Sequence, residues 1–95
     1  MWESELLRIR GELLLRQERP DEAEAEVVLR RAIDVARFQQ AKSWELRAAT
    51  SLARLLASKA RGEEALAVLA PVYGWFSEGF DTGDLREAKT LLESL

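Results

Sequence analysis

The strongest constraint in this sequence is an internal repeat with helical spacing. Glu24-Ala25-x-x-Val28-Leu29 recurs 40 residues later as Glu64-Ala65-x-x-Val68-Leu69. The paired positions Ala32/Val72, Ile33/Tyr73 and Ala36/Phe76 stay apolar at the same offset. Upstream of each copy, Leu13-Leu14 corresponds to Leu55-Leu56, and the small residue Gly11 to Ala53. Apolar residues three and four apart make one face of an α-helix. The unit is therefore a helix hairpin used twice. One hairpin cannot bury its apolar stripe alone, so it must stack on the next.

Punctuation along the chain predicts five helices and no strand. The first is expected over 3–17, with Leu6, Leu7, Ile9, Leu13 and Leu14 as its apolar face. Arg8, Glu12 and Arg16 share another face at i, i+4 spacing, where they can pair. Gly11 costs about 1 kcal/mol inside a helix, so close packing is its physical rationale. Arg19-Pro20-Asp21 ends this segment, and Asp21 followed by Glu24 starts the next as a cap. The second helix runs to about residue 40, with Ala25, Val28, Leu29, Ala32, Ile33, Ala36 and Phe38 as its apolar set. Ser43 is the expected N-cap of the third helix, over 44–59. The fourth spans 63–77 and should kink at Pro71, which removes the hydrogen bond to the Ala67 carbonyl. Gly79 and Gly83 bracket a loop, and Asp84, with Glu87 three residues on, caps a last short helix.

The expected fold is all-α, a single domain over 1–95, with one hairpin at 3–40, a second at 43–78 and a capping helix at 84–95. Composition agrees. Ala, Leu, Glu and Arg dominate, and Gly and Pro number five and two. A chain of 95 residues buries only a thin core.

Several functions are disfavoured by the residue types present. The chain has no histidine and no cysteine, which removes the usual zinc ligands, the Ser-His-Asp triad and the thiolate nucleophile. No glycine-rich phosphate loop occurs. Asp81-Thr82-Gly83-Asp84 lacks the alternating oxygen ligands of a calcium loop and reads as a turn with a helix cap. Asp21, Glu22, Glu24 and Glu26 read as a helix start and its solvated face. The expectation is a non-enzyme without cofactor or metal. A net charge of −3 with no basic block beyond Arg30-Arg31 argues against nucleic acid. The longest apolar run is six residues, against roughly 20 for a membrane span. No signal peptide pattern opens the chain. A cytoplasmic location is expected.

The second hairpin resembles a tetratricopeptide repeat. It carries Ala49-x-x-Leu52-Ala53-x-x-Leu56 and then Ala65-x-x-x-Leu69-x-x-Val72, matching the family's small and large positions in spacing. Alanine stands where tryptophan and glycine are usual. Residues 69–89, from Leu69-Ala70-Pro71-Val72-Tyr73 to Asp84-Leu85-Arg86-Glu87-Ala88-Lys89, are similar to the closing segment of bacterial adenylate/guanylate cyclase-like multidomain ATPase proteins. So is Ala41-Lys42-Ser43-Trp44-Glu45-Leu46-Arg47-Ala48-Ala49. The resemblance implies a protein-binding or scaffolding tail of a signalling protein, without the cyclase or ATPase activity.

In tetratricopeptide folds the binding surface is the concave face built from the first helix of each hairpin. By that resemblance the face here carries Glu5, Arg8, Glu12, Arg16, Arg47, Thr50 and Arg54. Arg47 and Arg54 lie seven residues apart on one helix face and can engage a peptide carboxylate. The competing expectation is that these charges pair with one another, Glu5 and Glu12 with the arginines, as weak surface pairs do. Trp75 and Phe76 are adjacent, so one is expected at a half-exposed edge. An uncovered first hairpin also suggests a homodimer as an alternative to a separate protein or peptide partner.

Overall fold

The computed structural model describes residues 2–17, 19–76 and 83–95. Its secondary structure is all-α: α1 Glu3–Leu15, α2 Glu22–Phe38, α3 Lys42–Ser58, α4 Gly62–Trp75 and α5 Gly83–Ser94. No strand occurs among the described residues. Consecutive helices pack on each other, and tight turns join α2 to α3 and α3 to α4. Helix α3 is central and packs on all four others. Ten of its residues are buried, including Leu46, Ala49, Leu52, Ala53 and Leu56. The core gathers around it from Ala25, Leu29, Ala32 and Ile33 of α2, Ala65, Leu69 and Val72 of α4, and Leu85 and Ala88 of α5.

Two turns explain the hairpin geometry. After α2, the Gln40 N–H donates to the Arg37 carbonyl (3.1 Å) and the Ala41 N–H to the Ala36 carbonyl (2.8 Å). After α3, Ala60 donates to Ala57 (3.2 Å) and Arg61 to Leu56 (2.9 Å) in the same pattern. Gln40 and Ala60 hold the left-handed conformation, with φ of 55° and 59°. Both turns are Schellman motifs, which satisfy the last carbonyls of a helix and reverse the chain within a few residues. Glycine usually fills this position; here a glutamine and an alanine do.

Helix starts differ from expectation. Asp21 caps α2 as expected, its Oδ1 accepting from the Glu24 N–H at 3.0 Å. Ser43 is not a cap: α3 begins at Lys42 after the N-cap Ala41, because the Schellman turn already delivers the chain in helical direction. Gly62 joins α4 and is not part of the turn. Asp84 lies inside α5, which starts at Gly83. Helix α4 continues past Pro71 to Trp75. The Gly79–Gly83 loop expected above falls, except for Gly83, outside the described residues.

The larger correction concerns α1. Its inward face is Ser4, Leu7, Gly11, Leu14 and Leu15. The Ser4 hydroxyl donates to the Ala32 carbonyl of α2 at 2.8 Å. Leu6, Ile9 and Leu13, expected in the core, are exposed at 63%, 42% and 57%. Small residues let α1 seat directly on α2, and that contact turns the larger side chains outward. Phe38, at the last turn of α2, is also exposed. Trp75 is exposed while Phe76 is half-buried against the core, in edge-on contact at 4.9 Å.

Candidate functional site

A cleft of about 530 Å³ opens where α1, α3 and α5 run side by side. Arg8, Glu12 and Arg16 reach it from α1, and Arg47, Thr50 and Arg54 from α3. Six of the seven residues picked from the sequence are thus brought together. Glu5 lies beside the cleft and joins it through its ion pairs. The first helix of each hairpin positions them, and α5 adds a third wall.

That third wall changes the chemistry. Asp84 of α5 accepts from Arg47 Nε at 2.9 Å, and Glu87 of α5 accepts from Arg54 Nη2. Arg47 also donates to Glu5 Oε1 at 3.2 Å. It is therefore clamped between carboxylates from α1 and α5, and the Asp84 carboxylate raises its pKa further. Glu5 Oε1 takes a second, shorter bond from Arg8 Nη2 at 2.7 Å. Bonds from Arg8, and then from Arg47, hold the Glu5 carboxyl below its ordinary value against the opposing effect of burial. Its Oε2 is buried with no hydrogen-bond partner among the described residues.

The pairing expected along α1 is not the one that forms. Arg8 takes Glu5, three residues back, and not Glu12. Among the described residues no ion pair involves Glu12 or Arg16. Arg54 likewise takes Glu87 and not Glu12. The Thr50 hydroxyl is committed to its own helix, donating to the Leu46 carbonyl at 2.8 Å. It shapes the cleft floor with its one donor already used. Sequence spacing presents Asp84 and Glu87 only as a cap and its partner, and sequence reasoning misses their place in the cleft. Their three-residue separation, about one helical turn, is the signal that both point to one side.

Ile9 and Leu13 line the same cleft at its α1 edge. The site therefore combines alternating charges with one apolar lip. Among the described residues no group of three or more acidic side chains is placed to hold a metal ion.

A second charged cluster ties the back of the molecule. Arg61, in the turn before α4, grips Glu26 of α2 with both terminal nitrogens, at 2.7 and 3.1 Å, and pairs with Glu64. Glu26 is held below its ordinary pKa chiefly by Arg61 and then by Arg30. Glu45 is buried at the start of α3 and accepts from Arg37 at 2.9 Å and Lys42 at 3.2 Å. Each cluster bridges helices of different hairpins and accounts for these charges structurally.

Among the described residues, no helix is long and apolar enough to cross a membrane. No family model, curated protein or solved structure matches the chain.

Proposed function

We propose that this chain is a tetratricopeptide-like interaction module that binds a protein segment in the α1–α3–α5 cleft and performs no chemistry of its own. The observation that supports it is the cleft itself: first helices of successive hairpins line one face with four arginines, interleaved acids and an apolar lip. The repeat spacing and the likeness to tetratricopeptide positions agree with that use of the face. The similarity of residues 41–95 to the closing helices of bacterial cyclase-like regulators supports a role as the interaction tail of a cytoplasmic signalling protein.

The internal pairs set the expected ligand. Asp84 and Glu87 occupy Arg47 and Arg54 from within the chain, as acidic groups of a bound peptide would. The segment that binds best therefore carries two carboxylates one helical turn apart and an apolar residue for Ile9 and Leu13. A peptide library screened on immobilised protein tests this. Enriched sequences should be acidic, and Arg47→Ala with Arg54→Ala should weaken them about tenfold or more. Asp84→Asn with Glu87→Gln should strengthen them by freeing both arginines. A library with no acidic enrichment, or binding indifferent to both pairs of variants, would sink the assignment.

A further inference from the structure

Thr50 and Ser58 of α3 commit their hydroxyls to their own helix, donating to the Leu46 and Leu55 carbonyls at 2.8 and 2.6 Å. Ser51, between them, does not. It is 4% exposed, and among the described residues its hydroxyl has no hydrogen-bond partner. Its oxygen is not sealed in, for the enclosed side-chain atoms without a partner are Glu5 Oε2 and Gln39 Oε1. Ser51 lines both the large cleft and a smaller pocket of about 250 Å³ beside it. A largely buried polar group left unbonded costs free energy, which a bound group recovers.

The smaller pocket continues the cleft. The two share Glu12, Ser51 and Arg54, and the smaller extends past Arg54 along α3, away from Arg47. Leu15, Pro20 and Leu55 give it an apolar wall. Two carboxylates also line it, Glu12 of α1 and Glu22 in the first turn of α2. Neither makes an ion pair among the described residues. Arg54, the arginine there, is already bonded to Glu87. Arg16 lines the large cleft and not this pocket.

We infer, on the reading of the cleft as a peptide site, that this pocket receives a basic side chain of the bound segment, next to the residue that pairs with Arg54. A lysine or arginine has an apolar stem and a charged head. The stem lies along Leu15, Pro20 and Leu55. The head meets Glu12 and Glu22 and donates to Ser51 Oγ, since a hydroxyl accepts as well as donates. Two carboxylates repel an acidic side chain there, and a neutral one leaves them unanswered. The volume is below the roughly 300–1,000 Å³ of sites that enclose a whole small ligand, so it suits one side chain. A charge order for the segment follows: acidic over Arg47 and Arg54, basic beyond Arg54.

The probes are labelled synthetic peptides with a leucine and two glutamates one helical turn apart, as the cleft requires. An arginine, or its neutral isostere citrulline, stands about two to four residues beyond one glutamate or the other. Fluorescence anisotropy on the whole chain gives the ratio of arginine to citrulline affinity at each end. Arginine should bind about tenfold tighter at one end and not at the other, because the pocket lies past Arg54 alone. Glu12→Gln with Glu22→Gln should bring that ratio to about two or below. Ser51→Ala should keep its helical circular dichroism and lower the ratio about threefold. Asp34→Asn with Glu63→Gln makes the same change of charge outside both sites and should leave the ratio where it was. Peptides that bind through Arg47 and Arg54 with no arginine preference overturn the pocket alone. So does a preference equal at both ends, one that survives Glu12→Gln with Glu22→Gln, or one unmoved by Ser51→Ala. A fall just as large in Asp34→Asn with Glu63→Gln also overturns it, since the protein's overall charge would then be the cause. Binding by none of the peptides, or binding indifferent to Arg47→Ala with Arg54→Ala, overturns the cleft as a peptide site and the pocket with it.

Discussion

Gly11 of α1 lies so close to Leu29 of α2 that a β-carbon at residue 11 would sit 2.8 Å from the leucine Cγ and 2.9 Å from its Cδ2. Leu29 is fully buried, so it can yield only by pressing on its own core neighbours. Gly11→Ala should therefore destabilise the fold by about 1–3 kcal/mol, although alanine is the better helix former. Gly74, near the end of α4, has nothing within 4 Å of the place a β-carbon would take. There the same exchange should stabilise by about 0.5–1 kcal/mol. Urea unfolding of both variants checks the opposite signs. Equal effects would show that α1 does not pack on α2 at this distance.

The two Schellman turns carry a cost that glycine would relieve. Ala60 holds a φ of 59° with its side chain exposed. A left-handed residue with a β-carbon loses roughly 1–2 kcal/mol, offset in part by the greater unfolded-state freedom of glycine. Ala60→Gly is expected to raise stability by about 0.5–1 kcal/mol in thermal or urea unfolding. Ala60→Val should lower it, because a branched side chain fits that conformation less well.

Acid should weaken the molecule through its paired glutamates. Glu5 and Glu26 both have folded pKa values below the ordinary 4.5, the first chiefly through Arg8 and the second chiefly through Arg61. The unfolded chain then takes up protons before the folded one does. The stability they contribute is complete above about pH 4.5 and is lost as pH falls through the lower folded values. Urea midpoints between about pH 6 and pH 3 should fall, and Glu5→Gln should flatten that fall. An unchanged slope in Glu5→Gln would remove Glu5 from the account.

Apolar packing, not its ion pairs, should hold α5 in place. Arg47–Asp84 and Arg54–Glu87 are substantially exposed, and such pairs contribute about 0–1 kcal/mol each. Leu85 is buried against the core. Leu85→Ala should cost about 2–4 kcal/mol, while Asp84→Asn with Glu87→Gln should change stability by less than about 1 kcal/mol. Hydrogen exchange across residues 83–95 in the three proteins separates the two contributions. If the charge variants loosened α5 as much as Leu85→Ala, the ion pairs would be its principal attachment.

The sequence by itself determined the helices, their number and most of the core. The 40-residue repeat put Ala25, Leu29, Ala65 and Leu69 at equivalent buried positions. The Asp21 cap was legible because capping is a contact between residues three apart. Six of the cleft residues followed from the tetratricopeptide resemblance, which implied a face built from the first helix of each hairpin. The tertiary structure alone decided which of two apolar faces α1 turns inward. Leu6, Ile9 and Leu13 read as core by hydrophobicity, yet the face of Ser4 and Gly11 won because it lets the helices approach closely. It also decided the charges. Sequence spacing offers Glu12 to Arg8 and Arg16, but ion pairing depends on which helices lie side by side. Here α5 brings Asp84 and Glu87 to the arginines of α3 across more than 30 positions of chain. Local periodicity fixes where a helix forms; only the packing of whole helices fixes what its surface meets.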